Sequence, residues 1–570
     1  MIKLFFQRLS IVLISINFLN CEQQGNDVTD LLQFNIAQSE WEGKPALNIK
    51  MKFKTDSSGT TRILYENEAW GQENLFDCIK NIKLLDSSIV PEINRDSGWI
   101  EIQHPRDLNL INFQYTLIQD FDGEGGSRES YRPLIQQQFF HVFSHNMFMI
   151  PKHIADTPED TLNVEINWDE FPEHYKIHNS FATSNSRQLL TNISLGDFHS
   201  AIFVGGDFRI YKQAIEGNAI YLASRGDWIP FKDSTVMQVL SKTIKLQRDF
   251  WQDHSQDYFT VTLRPITQDK GSSFQGTGLT NSFATTISNN EYTDIGQLVY
   301  LFNHELQHNW IGHTIKNANE EQQYWFSEGF TEYYTLKNIA KHQIQGLDGA
   351  YFIKEINGII RNLYSSPVKE APNSDINYEN FWSDRHYSKL PYYRGALIAF
   401  YLDKFISLES KGRFSLDDVM HDLQKGALEN DLKINQEYFV SVVNQYVNED
   451  IKGFAKDHIE GGKLLPLEDI FKTFGWSYMA IPEIFDLGFK FSDDQNFALT
   501  VDETSAAFAS GLRAGDQLTS RSIYFGNIER QVVLTVKRGD EYIDINYYPV
   551  KKAEVPQIEV SETNIGLLTF

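Results

Sequence analysis

Residues 302–313 read FNHELQHNWIGH. His304 and His308 are spaced i, i+4. On a helix that spacing puts both imidazoles on one face, about one turn apart, where two ring nitrogens can reach one zinc ion. Glu305 follows the first of them and is placed to contact a water sharing that metal. The motif lies within YTDIGQLVYLFNHELQHNWIG, whose apolar residues recur at helical spacing, so it belongs to a helix rather than a loop. His313 is the rival third ligand. However, Gly312 and His313 fall at the wrong offsets for HExxHxxGxxH, and at about 100° per residue His313 lies roughly 140° round the helix from His308. It reads as a helix-end or surface histidine.

The better third ligand is downstream, in YWFSEGFTEYY (324–334), which presents Glu328 with Glu332 one turn on. Trp325, Phe326, Phe330, Tyr333 and Tyr334 imply burial around them, and a buried carboxylate needs a partner. Glu328 from a second helix completes a His, His, Glu site with an open fourth position.

The rest of the chain frames that site. At 570 residues it is too long for one hydrophobic core, so three or four domains are expected. A net charge of −25 without any Lys/Arg-rich run argues against nucleic acid and anionic membrane as partners. The opening MIKLFFQRLSIVLISINFLNC has Lys3 and Arg8, then an apolar run to Leu19 that is too short to span a membrane, the layout of a secretory signal over 1–21. Its end, FLNC, resembles the lipobox of bacterial lipoproteins, which implies lipidation at Cys21 and a membrane contact only through that anchor. The protein is therefore expected to be exported, to the periplasm or cell envelope. Cys78, the other cysteine, is left unpaired and reads as a small buried hydrophobe.

Alternating stretches such as ALNIKMKFKT (46–55), GWIEIQ (98–103) and LINFQYTLI (110–118) predict a β-rich N-terminal domain over 22–195. Mixed strands and a helical pattern at 235–254 follow, and the middle third is largely helical. The fold class is multidomain α+β.

HELQH with WFSEGFTEYY resembles the gluzincin metallopeptidases, and specifically the glycyl-aminopeptidase family that carries a C-terminal PDZ domain. The resemblance implies a thermolysin-like catalytic domain with a helical C-terminal part over 196–475, and one Zn²⁺ per chain. Zinc held by His304, His308 and Glu328 would activate a water and polarise the scissile carbonyl. Glu305 would take the water's proton and pass it to the leaving amine. YYRGALIAFYLD (392–403) matches a Tyr-x-Lys-Gly motif, with Arg394 in place of the lysine, and makes Tyr392 the oxyanion donor. FDLGFKF (485–491), SAAFASGLRAGDQLTS (505–520) and VVLTVKRGDEYIDINYYP (532–549) resemble a PDZ domain over 480–552, followed by a tail over 553–570. Leu487, Gly488 and Phe489 would be its carboxylate-binding loop for the C-terminal end of a peptide ligand.

One stretch departs from the family. Its Gly-Gly-Leu-Glu-His run corresponds here to QGTGLTNSF (275–283): Gly276, Gly278 and Leu279 remain as substrate-binding residues, but Thr280 stands where relatives place the glutamate that binds the substrate amine. The expected function is therefore a zinc peptidase acting on peptides or proteins, aminopeptidase-like with altered recognition of the N-terminal amine. A non-catalytic peptide-binding scaffold using the PDZ domain is the alternative, and retention of Glu305 and Tyr392 weighs against it.

Overall fold

The computed structural model describes residues 31–85, 89–126, 129–156, 161–183, 186–268, 271–492, 495–568 and 570. The expected signal segment and Cys21 lie outside the described residues. Strands Leu31–Trp41 and Lys44–Lys54 form an antiparallel hairpin. Glu42 and Gly43 both have positive φ (49° and 75°), the requirement of a two-residue turn that matches strand twist. Alternation decides which face is buried: Leu32, Phe34 and Ile36 on one strand and Leu47, Ile49, Met51 and Phe53 on the next are essentially inaccessible. These strands lie within a six-stranded sheet, and two four-stranded sheets complete the β-rich part. Cys78 sits in its core, and burial pushes the thiol up to about 12. The β-rich part runs past the expected boundary at 195. Strand Ile202–Gly206, every residue buried, pairs with Phe139–Phe143 and closes a sheet begun some 60 residues earlier in the chain.

The part expected to be catalytic is built on a five-stranded sheet in the order Arg209–Ile215, Asn218–Ser224, Tyr258–Ile266, Ser282–Ser288, Phe274–Leu279. The middle pairings are parallel, and Phe274–Leu279 is an antiparallel edge. Two amphipathic helices, α1 (Asp233–Trp251) and α2 (Ile295–Glu305), share one core with it through Val236, Leu240, Leu298 and Phe302. The helical part follows, with α3 (Gly329–Lys341), α4 (Gly349–Ser365) and α5 (Arg385–Glu409). The residue pair Gly329 and Gly395 lets α3 and α5 touch backbone to backbone: a methyl at Gly395 would overlap the Trp325 carbonyl, and one at Gly329 would overlap Gly395.

Residues 480–552 form a small β unit with its own core of Phe489, Leu512, Val532, Leu534, Val536 and Ile545. The segment expected as a tail, 553–570, is instead structural. Strand Val550–Ile558 pairs with Tyr478–Phe485, and Asn357 on α4 bonds Ile558 through both its amide nitrogen (2.8 Å) and oxygen (2.9 Å). Phe570 packs edge-on against Phe352. The ladder partner of Val550–Ile558 lies about 70 residues upstream, so no local pattern announces that strand.

Candidate active site

Helix α2 starts at a capping box, in which Asp294 accepts from Gly296 N and Gln297 returns to Asp294 N. It ends at Glu305, and the chain tightens into a 3₁₀ turn over Leu306–Asn309. The two histidines therefore straddle the change of helix type rather than lying on one regular helix as expected. Their separation survives: the rings are 5.2 Å apart between centroids and nearly perpendicular. Gly312, at φ +113°, reverses the chain, and His313 is exposed beyond it, which removes it from the ligand set.

Glu328 enters from the start of α3. Its Oε2 lies 3.6 Å from His304 Nε2 and 3.7 Å from His308 Nε2. Among the described residues this trio is the group whose ligand atoms converge, all within 4.8 Å of one another. Bonds of about 2.1 Å at tetrahedral angles hold zinc ligands roughly 3.4 Å apart, so the spacing fits that ion. One outer nitrogen is fixed as well: His308 Nδ1 bonds the Ile311 carbonyl at 3.0 Å. His304 Nδ1 lies 3.2 Å from Glu332, which accepts from Tyr300 (2.5 Å), without a hydrogen bond to it. Both Nε2 atoms face Glu328. Electrostatics agree. Burial opposes charge on His304, yet Glu328 and Glu332 outweigh it and raise its pKa to about 10. Burial would likewise raise Glu328, but the neighbouring histidines hold it well below the usual carboxylate range. The pocket favours a cation.

Trp325, Phe326, Phe330 and Tyr333 are fully buried around Glu328, as the aromatic pattern predicts. Tyr392 on α5 stacks on His304, with rings 5.9 Å apart and 12° from parallel, and the charge of Glu328 acts on its phenol. Burial and the nearby carboxylates raise this phenol, so it stays protonated and able to donate. Arg394, two residues on, projects elsewhere. It donates to Ala371 O (2.7 Å) and Lys369 O (3.2 Å) and tethers a loop, so its place in the motif is structural.

Along the edge strand, Gly276 has to be glycine because the Phe283 ring crosses it, whereas a side chain at Gly278 would meet open space. Leu279 is half-buried. Thr280 sits at the hairpin tip with its N–H on Ser200 O (2.7 Å) and its hydroxyl 3.4 Å from Asp197, both of the β-rich part. Two neighbours had no local signal. Tyr131 of the β-rich part feels the charge of Glu305, and it lines a recess with His141, Gln275 and Gly276. Lys389 places its ammonium 4.1 Å from the Tyr392 ring centre.

The loop expected to catch a peptide carboxylate is already bonded inside the chain. Gly488 N donates to Asp486 (2.9 Å), Gly488 O accepts from Asp502 N (2.9 Å), and Leu487 O accepts from Tyr547 (2.7 Å). Phe489 is committed to a ladder with Val501. A short internal carboxylate thus takes the amide that a ligand would need.

Residues 277–457 match the peptidase family M1 domain. No curated protein matches the chain. Among solved structures, an aminopeptidase N family protein from Idiomarina loihiensis is similar at a TM-score of 0.71 and 17% identity, covering 95% of this chain and 100% of that one. An M1 zinc metallopeptidase from Deinococcus radiodurans gives a TM-score of 0.45 and 13% identity over 77% of this chain and 94% of its own. The first likeness shows the fold. The matched segment contains His304, Glu305, His308, Glu328 and Tyr392, so the likeness to the peptidase family M1 domain falls on the candidate site and supports a gluzincin-type zinc metallopeptidase.

Proposed function

We propose that this protein is a zinc-dependent peptidase, aminopeptidase-like in build, that does not read the substrate's free amine through the edge strand. The observation that carries the reading is the convergence of His304, His308 and Glu328 beside both Glu305 and Tyr392. A zinc held only for structure has no use for the last two. When bound, zinc supplies Lewis-acid activation of water and of the scissile carbonyl. Glu305, half-buried and following the first ligand, accepts the attacking water's proton and returns it to the leaving nitrogen. Tyr392 keeps its proton and donates to the oxyanion as it forms. The edge strand, open at Gly278, offers its backbone to an extended peptide.

A free amino terminus is a cation, and binding it in a closed site without an opposing carboxylate is costly. Thr280 is neutral, and its hydrogen-bonding groups face Ser200 and Asp197. Peptides that differ only by N-terminal acetylation are therefore expected to be cut at rates within about threefold of each other, since the amine earns no charge-assisted bond. Abolition of cleavage by acetylation would restore aminopeptidase action and require another anchor, with Asp197 first in line.

The PDZ likeness of 480–552 is supported by the Gly511–Asp516 turn, where Asp516 accepts from Arg513 N (2.9 Å) and pairs with Arg538 (2.6 Å). Export with a lipid on Cys21 completes the reading. Intact-mass measurement of the mature protein is expected to find Cys21 as a lipid-bearing N-terminus; an unmodified N-terminus elsewhere withdraws it.

A further inference from the structure

Arg385, Lys389 and Tyr392 occupy positions i, i+4 and i+7 of α5, so they share one helical face. Two cations four residues apart repel one another. Among the described residues no carboxylate lies within 4.0 Å of either head group. Lys389 is half-buried and leans on the Tyr392 ring, while Glu332, Glu328 and Glu305 act on its charge only through space. Arg385 is held over the Phe525 ring, 4.4 Å from its centre, by the C-terminal β unit. Lys490 of the same unit adds positive charge at His386. A chain of net charge −25 therefore gathers unpaired cations beside its oxyanion donor. A partly desolvated ammonium without an anion is an incomplete pair.

We propose that Lys389, assisted by Arg385, binds the C-terminal carboxylate of a short peptide substrate. This rests on the peptidase reading above and adds to it a substrate class: peptides with a free C-terminus close to the cleaved bond. Lys389 touches the ring of Tyr392, and an extended chain advances about 3.3–3.6 Å per residue, so the carboxylate falls roughly one or two residues past that bond. A charge-assisted contact of this kind separates a carboxylate from its amide by about tenfold to a hundredfold in affinity.

The test uses the full-length, zinc-loaded Glu305→Gln protein, calorimetry, and two probes, acetyl-trialanine and acetyl-trialanine amide. The free acid is expected to bind about tenfold to a hundredfold more tightly. Adding Lys389→Met should erase that difference with zinc content unchanged, and Lys389→Arg should restore most of it. Equal binding of acid and amide overturns the proposal. So does an equal loss for both in Lys389→Met, which would mean that the lysine acts through Tyr392 alone. If the wild-type enzyme with zinc bound cuts no peptide at all, the peptidase reading itself falls and takes the carboxylate subsite with it.

Discussion

Glu305→Gln is expected to retain one zinc per chain and to lose at least a factor of about 10²–10⁴ in kcat, the usual contribution of a positioned general base. Glutamine keeps the shape and the polarity of the side chain but cannot take a proton. The ligands His304, His308 and Glu328 converge without Glu305, so the metal has no reason to leave. Metal analysis of the purified variant beside a peptide-cleavage assay checks both halves. Turnover at the wild-type rate would remove Glu305 as the base, and loss of zinc would make it a ligand.

Tyr392→Phe is expected to lower kcat by about 10²–10³ with KM and zinc content little changed, the cost of one oxyanion donor. Phenylalanine preserves the ring stacked on His304 and the surface under Lys389, so only the hydroxyl is removed. Steady-state kinetics with metal content separates this outcome from collapse of the site. An unchanged kcat would assign the oxyanion to another donor.

The candidate ligands were legible in the sequence because each is set by short-range geometry: two histidines a turn apart, and a carboxylate wrapped in aromatic residues. The chain's passage from α-helix to 3₁₀ turn at Leu306 had no such signal, since hydrophobic spacing does not distinguish the two over four residues. The strands of the β-rich part were legible from alternation, but not its end. Ile202–Gly206 looks like any buried strand, and its partner Phe139–Phe143 is specified by the tertiary fold. The same holds for Val550–Ile558, which a linear reading leaves as a tail. Outer-shell residues were partly visible. Glu332 stands one turn from Glu328, whereas Tyr131 of the β-rich part comes beside Gln275 and Gly276 only in the tertiary fold, and Lys389 acquires meaning only beside Tyr392.

The contact of α3 and α5 at Gly329 and Gly395 has a consequence for how this enzyme can vary. Glu328 begins one of those helices and Tyr392 rides on the other, three residues before the crossing. Their clearance is gauged by main chain against main chain, with no side chain between them to trim or swell. Substitutions in the surrounding aromatic core can change how firmly the helices are clamped, yet they have little leverage on that spacing. Change is thus steered outward, away from the crossing, while the spacing of Glu328 and Tyr392 is kept.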